Sequence, residues 1–174
     1  MSKIPLADDV ALWHSYVEAA DKFRLARKKL LSKCGYDAGN IIVEIVRRAL
    51  NTPDEKYLAL DTAELLTVEA KKQLFADLFQ KAVEFETTYS YNKAEQIILS
   101  LPKEWLKKKL AEVAEFILES DEPKISSELL GIYFEVDKSM ARKLAAKALA
   151  SSDESSRDVG MFFLKKLNES EDSA

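Results

Sequence analysis

Apolar residues recur along this chain at steps of three and four, with polar residues filling the opposite side. That period belongs to the α-helix and not to the strand. Val10, Trp13, Val17, Ala20, Phe23 and Leu30, with Ala26 alongside, mark one face and predict a helix over residues 6–33, with Gly35 near its C-terminal cap. The run Ile41-Ile42-Val43-Glu44-Ile45-Val46 has strand composition. Ile42, Ile45, Val46 and Leu50 nevertheless share a helical face, and Arg47-Arg48 breaks any period-two alternation, so a second helix is expected over 38–50. Further helices are expected over 53–65, 68–86, 91–100, 102–119, 123–135, 138–150 and 154–167, with residues 87–90 as a polar break. In the helix over 68–86, Leu74, Phe75, Leu78, Phe79, Ala82 and Val83 form a face broad enough to touch two neighbours, which predicts an interior position. In the helix over 102–119, Lys108 and Glu112 have the spacing of a surface ion pair. The expected fold class is all-α, with about nine helices in stacked antiparallel pairs, α-solenoid-like.

Punctuation supports this reading. Gly and Pro occur only four times each, fewer than a turn-rich β protein uses, and each proline falls where a helix could begin. Thr52-Pro53-Asp54-Glu55 has the form of a capping box, and Thr67, Asp137 and Asp153 are natural N-caps. Gly131 and Gly160 fall inside helices, where glycine costs about 1 kcal/mol against alanine, so close helix packing is expected at both. One helical-repeat domain is expected over residues 1–168. In it, a long helix and a second helix (1–51) precede helix pairs (52–168), and 169–174 form a flexible acidic tail.

Candidate pair starts at Thr52, Thr88, Asp121 and Asp153 lie 36, 33 and 32 residues apart, a cadence of helical repeats. A sharper internal match places Ser127, Arg142 and Arg157 fifteen residues apart. Each is followed at common offsets by Leu129, Leu130 and Phe134, by Leu144, Ala145 and Leu149, or by Val159, Gly160 and Leu164. The stretch over 128–149 runs as an apolar helix, then Asp137, then Arg142 five residues later, then an Ala/Leu-rich helix; Asp153 and Arg157 echo its second half. Residues 123–168 thereby resemble a HEAT-type repeat. The resemblance implies an α-solenoid whose curved face binds another macromolecule. A few HEAT-like families are enzymes, but no functional residue of theirs maps onto this chain.

Composition narrows the function classes. With 47% hydrophobic and 32% charged residues the chain is globular, and its net charge of −4 argues against bulk electrostatic binding of nucleic acid. Arg24, Arg27, Lys28, Lys29 and Lys33 crowd the end of the first helix while Asp8 and Asp9 open it. That is the distribution the helix dipole prefers, and a partner-binding patch is the alternative. No stretch has the length of a membrane span, no apolar core of signal-peptide length follows Met1, and Cys34 is a lone thiol, so a cytoplasmic location is expected.

Chemical signatures are sparse. His14 and Cys34 together fall short of a Cys/His zinc set, and along one straight helix they stand roughly 30 Å apart, too far to act as a pair. No glycine-rich phosphate loop occurs, and Asp8-Asp9 is explained by the helix start. We therefore expect no catalytic residues, metal or cofactor, although 30 acidic residues leave a carboxylate site open. The candidate binding residues are Tyr89, Tyr91, Lys93, Trp105 and Lys108, where aromatics interleave with lysines. Such a set suits a protein interface or stacking on single-stranded nucleic acid, or else covers the edge of the core. The expected function is a non-enzymatic module that binds a protein partner. The alternatives are a small HEAT-like enzyme or nucleic-acid-processing protein using carboxylates and aromatics, and a helical bundle dimerising through its first helix.

Overall fold

The computed structural model describes residues 7–33, 39–84, 87–121 and 123–172. Cys34 and Gly35 lie outside them. Ten helices occur among the described residues, none of which is in a strand: α1 (Ala7–Lys33), α2 (Gly39–Leu50), α3 (Lys56–Glu64), α4 (Val68–Gln73), α5 (Phe75–Val83), α6 (Thr88–Leu99), α7 (Lys103–Glu119), α8 (Ser127–Val136), α9 (Lys138–Leu149) and α10 (Glu154–Asp172). No helix among them is long and apolar enough to cross a membrane. Backbone contacts divide the chain into two compact units, Met1–Ile45 and Val46–Ala174.

The tenth helix arises from a break at Leu74, where one helix was expected over 68–86. The Leu74 N–H is shared between the Ala70 and Lys71 carbonyls (3.2 and 3.1 Å). This tightens the turn locally and separates α4 from α5, a 3₁₀-type adjustment within an otherwise helical stretch.

In the first unit, α1 forms as expected, but no residue from 9 to 32 is buried. Its surface carries the ion pairs Lys22–Glu18 (2.7 Å) and Arg24–Asp21 (2.8 Å). Trp13 and Tyr16 stack with ring centroids 5.6 Å apart. Helix α2 runs from the first unit into the second; its buried residues are Ile42 and Val43 in the first and Val46 and Leu50 in the second, so Val43 takes the place expected for Ile45, which is exposed.

The second unit contains a continuous apolar core. Leu60, Leu74, Leu78, Ile97, Ile98, Leu106, Leu110, Leu130, Tyr133 and Leu144 are almost wholly removed from solvent. Each such side chain contributes about 1.5–3 kcal/mol of transfer free energy against conformational entropy. Here α5 packs against α4, α6 and α8, the interior position its broad face predicts. Beyond it, α6 meets α8, α8 meets α10 and α7 meets α9, so alternate helices stack in two rows while consecutive ones pair. The α9–α10 pair is antiparallel: Lys138 reaches Ser170 Oγ (3.2 Å) and Arg142 reaches Asn168 Oδ1 (2.8 Å), while Gly160 lies against Ala145 and Leu149. The helix end expected at Leu167 is overrun, and α10 continues to Asp172 with Ser170 Oγ donating to the Leu167 carbonyl (2.8 Å).

Caps explain most of the helix starts. Thr67, Ser126 and Asp137 accept from the N–H groups of Ala70, Leu129 and Met140, and the Asp153 carboxylate accepts from Ser156 N–H at 2.7 Å. Thr87 caps α6 through Ser90 N–H, so the expected polar break is instead a cap followed by the first helical turn. The capping box expected at Thr52 does not form. Its hydroxyl donates back to the Arg48 carbonyl (3.1 Å), residues 53–55 remain in turns, and α3 starts at Lys56 with no side-chain cap. Pro123 begins no helix either, because the chain stays irregular until the Ser126 cap.

Within the fifteen-residue match only the third offset keeps one environment: Leu130, Ala145 and Gly160 are all buried. Its two arginines differ. Arg142 spans to α10, whereas Arg157 donates to the Ser151 and Ser152 carbonyls just before its own helix (3.0 and 2.6 Å).

Candidate interaction surface

The residues of α3 divide cleanly around its axis. Ala59, Leu60, Thr62 and Ala63 are buried, and the opposite arc presents Tyr57, Leu58, Asp61 and Glu64, continued by Leu65 at the C-cap. At 100° per residue these five follow one another around a single face. Helix α6 lies beside that arc because its own buried residues, Ser90, Ala94, Ile97 and Ile98, turn inward and leave Tyr89 and Lys93 toward α3.

The junction is a closed polar network. The Tyr89 hydroxyl donates to Asp61 Oδ1 at 2.7 Å, and Lys93 Nζ stands 2.6 Å from Glu64 Oε2 and 3.8 Å from Asp61 Oδ1. The Tyr57 and Tyr89 rings meet edge to face at 5.6 Å, and Lys56 Nζ lies 5.4 Å from the Tyr57 ring centroid. Around this network Tyr57, Leu58, Leu65 and Tyr89 each keep 37–50% of their surface exposed. The hydrogen bond to Asp61, with burial and the nearby carboxylates, pushes the Tyr89 phenol up to about 12. The phenol is therefore a stable hydrogen-bond donor at neutral pH and not a general base. Lys93 is matched by two carboxylates, which leaves it little capacity for a phosphate.

The five sequence candidates do not converge. Tyr89 and Lys93 share this junction. Tyr91 points to another side of α6, with its hydroxyl 3.6 Å from where a Cβ on Gly131 would lie. Burial and Glu95 push its phenol up to about 12. Trp105 is half-buried, edge-on to Phe75 of α5 (5.5 Å, 88°), with Lys72 Nζ 5.6 Å from its ring centroid. It is part of the packing at α5. Lys108 is exposed on α7, and its expected partner Glu112 is instead held by Lys109 (2.6 Å). Sequence reasoning missed Tyr57, Leu58, Asp61, Glu64 and Leu65, although a helical projection of α3 would have placed them on one face.

Elsewhere in the second unit a cleft of about 310 Å³ lies between the segment leading into α8 and the start of α10, lined by Ser126, Ser151 and Asp153 among others. It holds a carboxylate but neither tryptophan nor tyrosine, and that carboxylate is occupied in capping α10. No group of three or more His, Cys, Asp or Glu positioned for a metal occurs among the described residues. His14 is exposed on α1.

Comparison of the chain with protein-family models, with curated proteins and with solved structures gave no match.

Proposed function

We propose that residues 46–174 act in the cytoplasm as a non-enzymatic helical-repeat module, α-solenoid in type and HEAT-like, that binds a protein partner through the α3–α6 surface. One observation carries the reading: Tyr57, Leu58, Leu65 and Tyr89 stay exposed together around a satisfied charge network. Aromatic and aliphatic anchors beside a polar rim make up the anatomy of a protein interface. The two-row stacking of α6 to α10 and the repeat cadence support the solenoid reading. Lys93 is already engaged by two carboxylates, which makes the same surface a poor track for nucleic acid.

The test is comparative capture of a partner by the full chain and by its Leu58→Glu/Leu65→Glu variant. A partner held by the wild type and lost by the variant is the expected result, and Tyr89→Ala should weaken it at least about tenfold. Equal retention by both chains would remove the surface from the proposal. Failure of the wild type to retain any protein would end the proposal itself.

A further inference from the structure

Helix α1 carries a second seam that the stripe through Val10 and Trp13 conceals. Leu12, Tyr16, Ala19, Phe23, Ala26 and Leu30 follow one another at alternating steps of four and three, the spacing of coiled-coil core positions. Leu12 and Tyr16, with Trp13 beside them, keep 61–69% of their surface exposed, and none of the six seam residues is buried. An exposed seam of this kind in a soluble helix calls for a covering element.

The order of sizes along the seam selects what covers it. When two copies of α1 lie antiparallel about residue 21, Leu12 meets Leu30 of the second copy, Tyr16 meets Ala26, and Ala19 meets Phe23. Each large ring faces a small residue, which fills space evenly without overpacking. A parallel pair would instead set ring on ring at positions 16 and 23 and leave voids at 19 and 26. Charge agrees with size. Between residues 9 and 20 the charged residues are Asp9 and Glu18, while from 21 to 29 Asp21 is outnumbered by Lys22, Arg24, Arg27, Lys28 and Lys29. Antiparallel pairing lays the basic half of one helix beside the acidic half of the other and opposes their dipoles, and a parallel pair would crowd the basic halves together. In the same register Trp13 comes beside Arg27 of the second copy, within the reach of a cation–π contact.

We infer that α1 is a homotypic docking helix whose occupant is the α1 of a second copy of this chain, antiparallel and with Ala19 facing Phe23. Failure of this pairing leaves the reading of residues 46–174 untouched, because the two rest on different surfaces.

Sedimentation of the full chain over about two decades of concentration should show a monomer giving way to a species of twice the chain mass. Leu12→Glu/Leu30→Glu should raise the dissociation constant at least about tenfold, because both substitutions put like charges face to face in the seam. Register is read by cross-linking in a Cys34→Ser background. Under mild oxidation an equimolar mixture of Ala19→Cys and Phe23→Cys chains should form mixed disulfides, and neither chain should cross-link alone. Tyr16→Cys with Ala26→Cys repeats the test one layer away. A strict monomer throughout, which is the outcome if α1 is covered within its own chain, overturns the inference. So does a dimer indifferent to Leu12→Glu/Leu30→Glu, or cross-linking of the single chains alone.

Discussion

At position 160 the backbone of α10 runs against α9 with only hydrogen between them. A Cβ there would stand 2.6 Å from the Ala145 carbonyl oxygen and 2.6 Å from the Leu149 nitrogen, both main-chain atoms that cannot swing aside. Gly131 is also inside a helix, yet a Cβ on it would meet only the end of Tyr91 at an ordinary 3.6 Å. The expectation of close packing therefore holds for Gly160 and fails for Gly131. Gly160→Ala should destabilise the chain by about 1–3 kcal/mol, because the α9–α10 pair must move apart. Gly131→Ala should leave stability unchanged or raise it by up to about 1 kcal/mol through helix propensity. Denaturant unfolding of the two variants checks both signs. Neither outcome was legible from the sequence, since two glycines at similar helical positions differ only in what lies opposite them.

At the scale of elements, the most connected helix start is that of α9. The Asp137 carboxylate accepts from Met140 N–H (3.1 Å), and its other oxygen lies 3.3 Å from Lys107 Nζ of α7. Burial pulls this carboxyl upward, but the hydrogen bond from Met140 and the lysine together outweigh it and hold the group below the usual aspartate range. Folding thus favours the deprotonated form. The contribution is in full force above the unfolded value of about 3.9 and fades as pH falls through the lower value of the folded chain. Asp137→Asn keeps a capping oxygen and removes the charge, so its thermal midpoint should fall less steeply than the wild type's below about pH 4. Asp137→Ala should cost about 1 kcal/mol at neutral pH. Thermal scans of the three chains across acid pH decide the matter. Asp137 and Asp153 were readable as caps because a carboxylate three residues ahead of a helical N–H has a local job. Thr52 misled because its hydroxyl found the Arg48 carbonyl in the preceding helix, a competitor that a four-residue pattern cannot reveal.

For the molecule as a whole, periodicity made the all-α class and the paired helices of the second unit legible, because there the apolar stripes are covered by neighbouring helices. The surface was less so. Tyr89, Tyr91, Lys93, Trp105 and Lys108 are close in sequence, but two residues along a helix turn a side chain through about 200°, which sends Tyr89 to α3 and Tyr91 to α8. Trp105 was drawn into the packing by Phe75, two helices earlier in the chain and invisible to local spacing. The α3 stripe became meaningful only when α6 was seen to lie beside it.

Tyr133 gives the second unit a built-in reporter of its own opening. Its ring is fully enclosed and its hydroxyl donates to the Leu110 carbonyl at 2.7 Å, while burial drives the phenol well above the ordinary tyrosine range. Hydroxide has no route to that proton while the interior is shut. After a jump to alkaline pH, phenolate absorbance should therefore appear in two stages, with Tyr133 in the slow one, keeping time with loss of helical circular dichroism. In Tyr133→Phe the slow absorbance stage should vanish while the dichroism change persists. A slow stage of undiminished size would show that the signal comes from another ring.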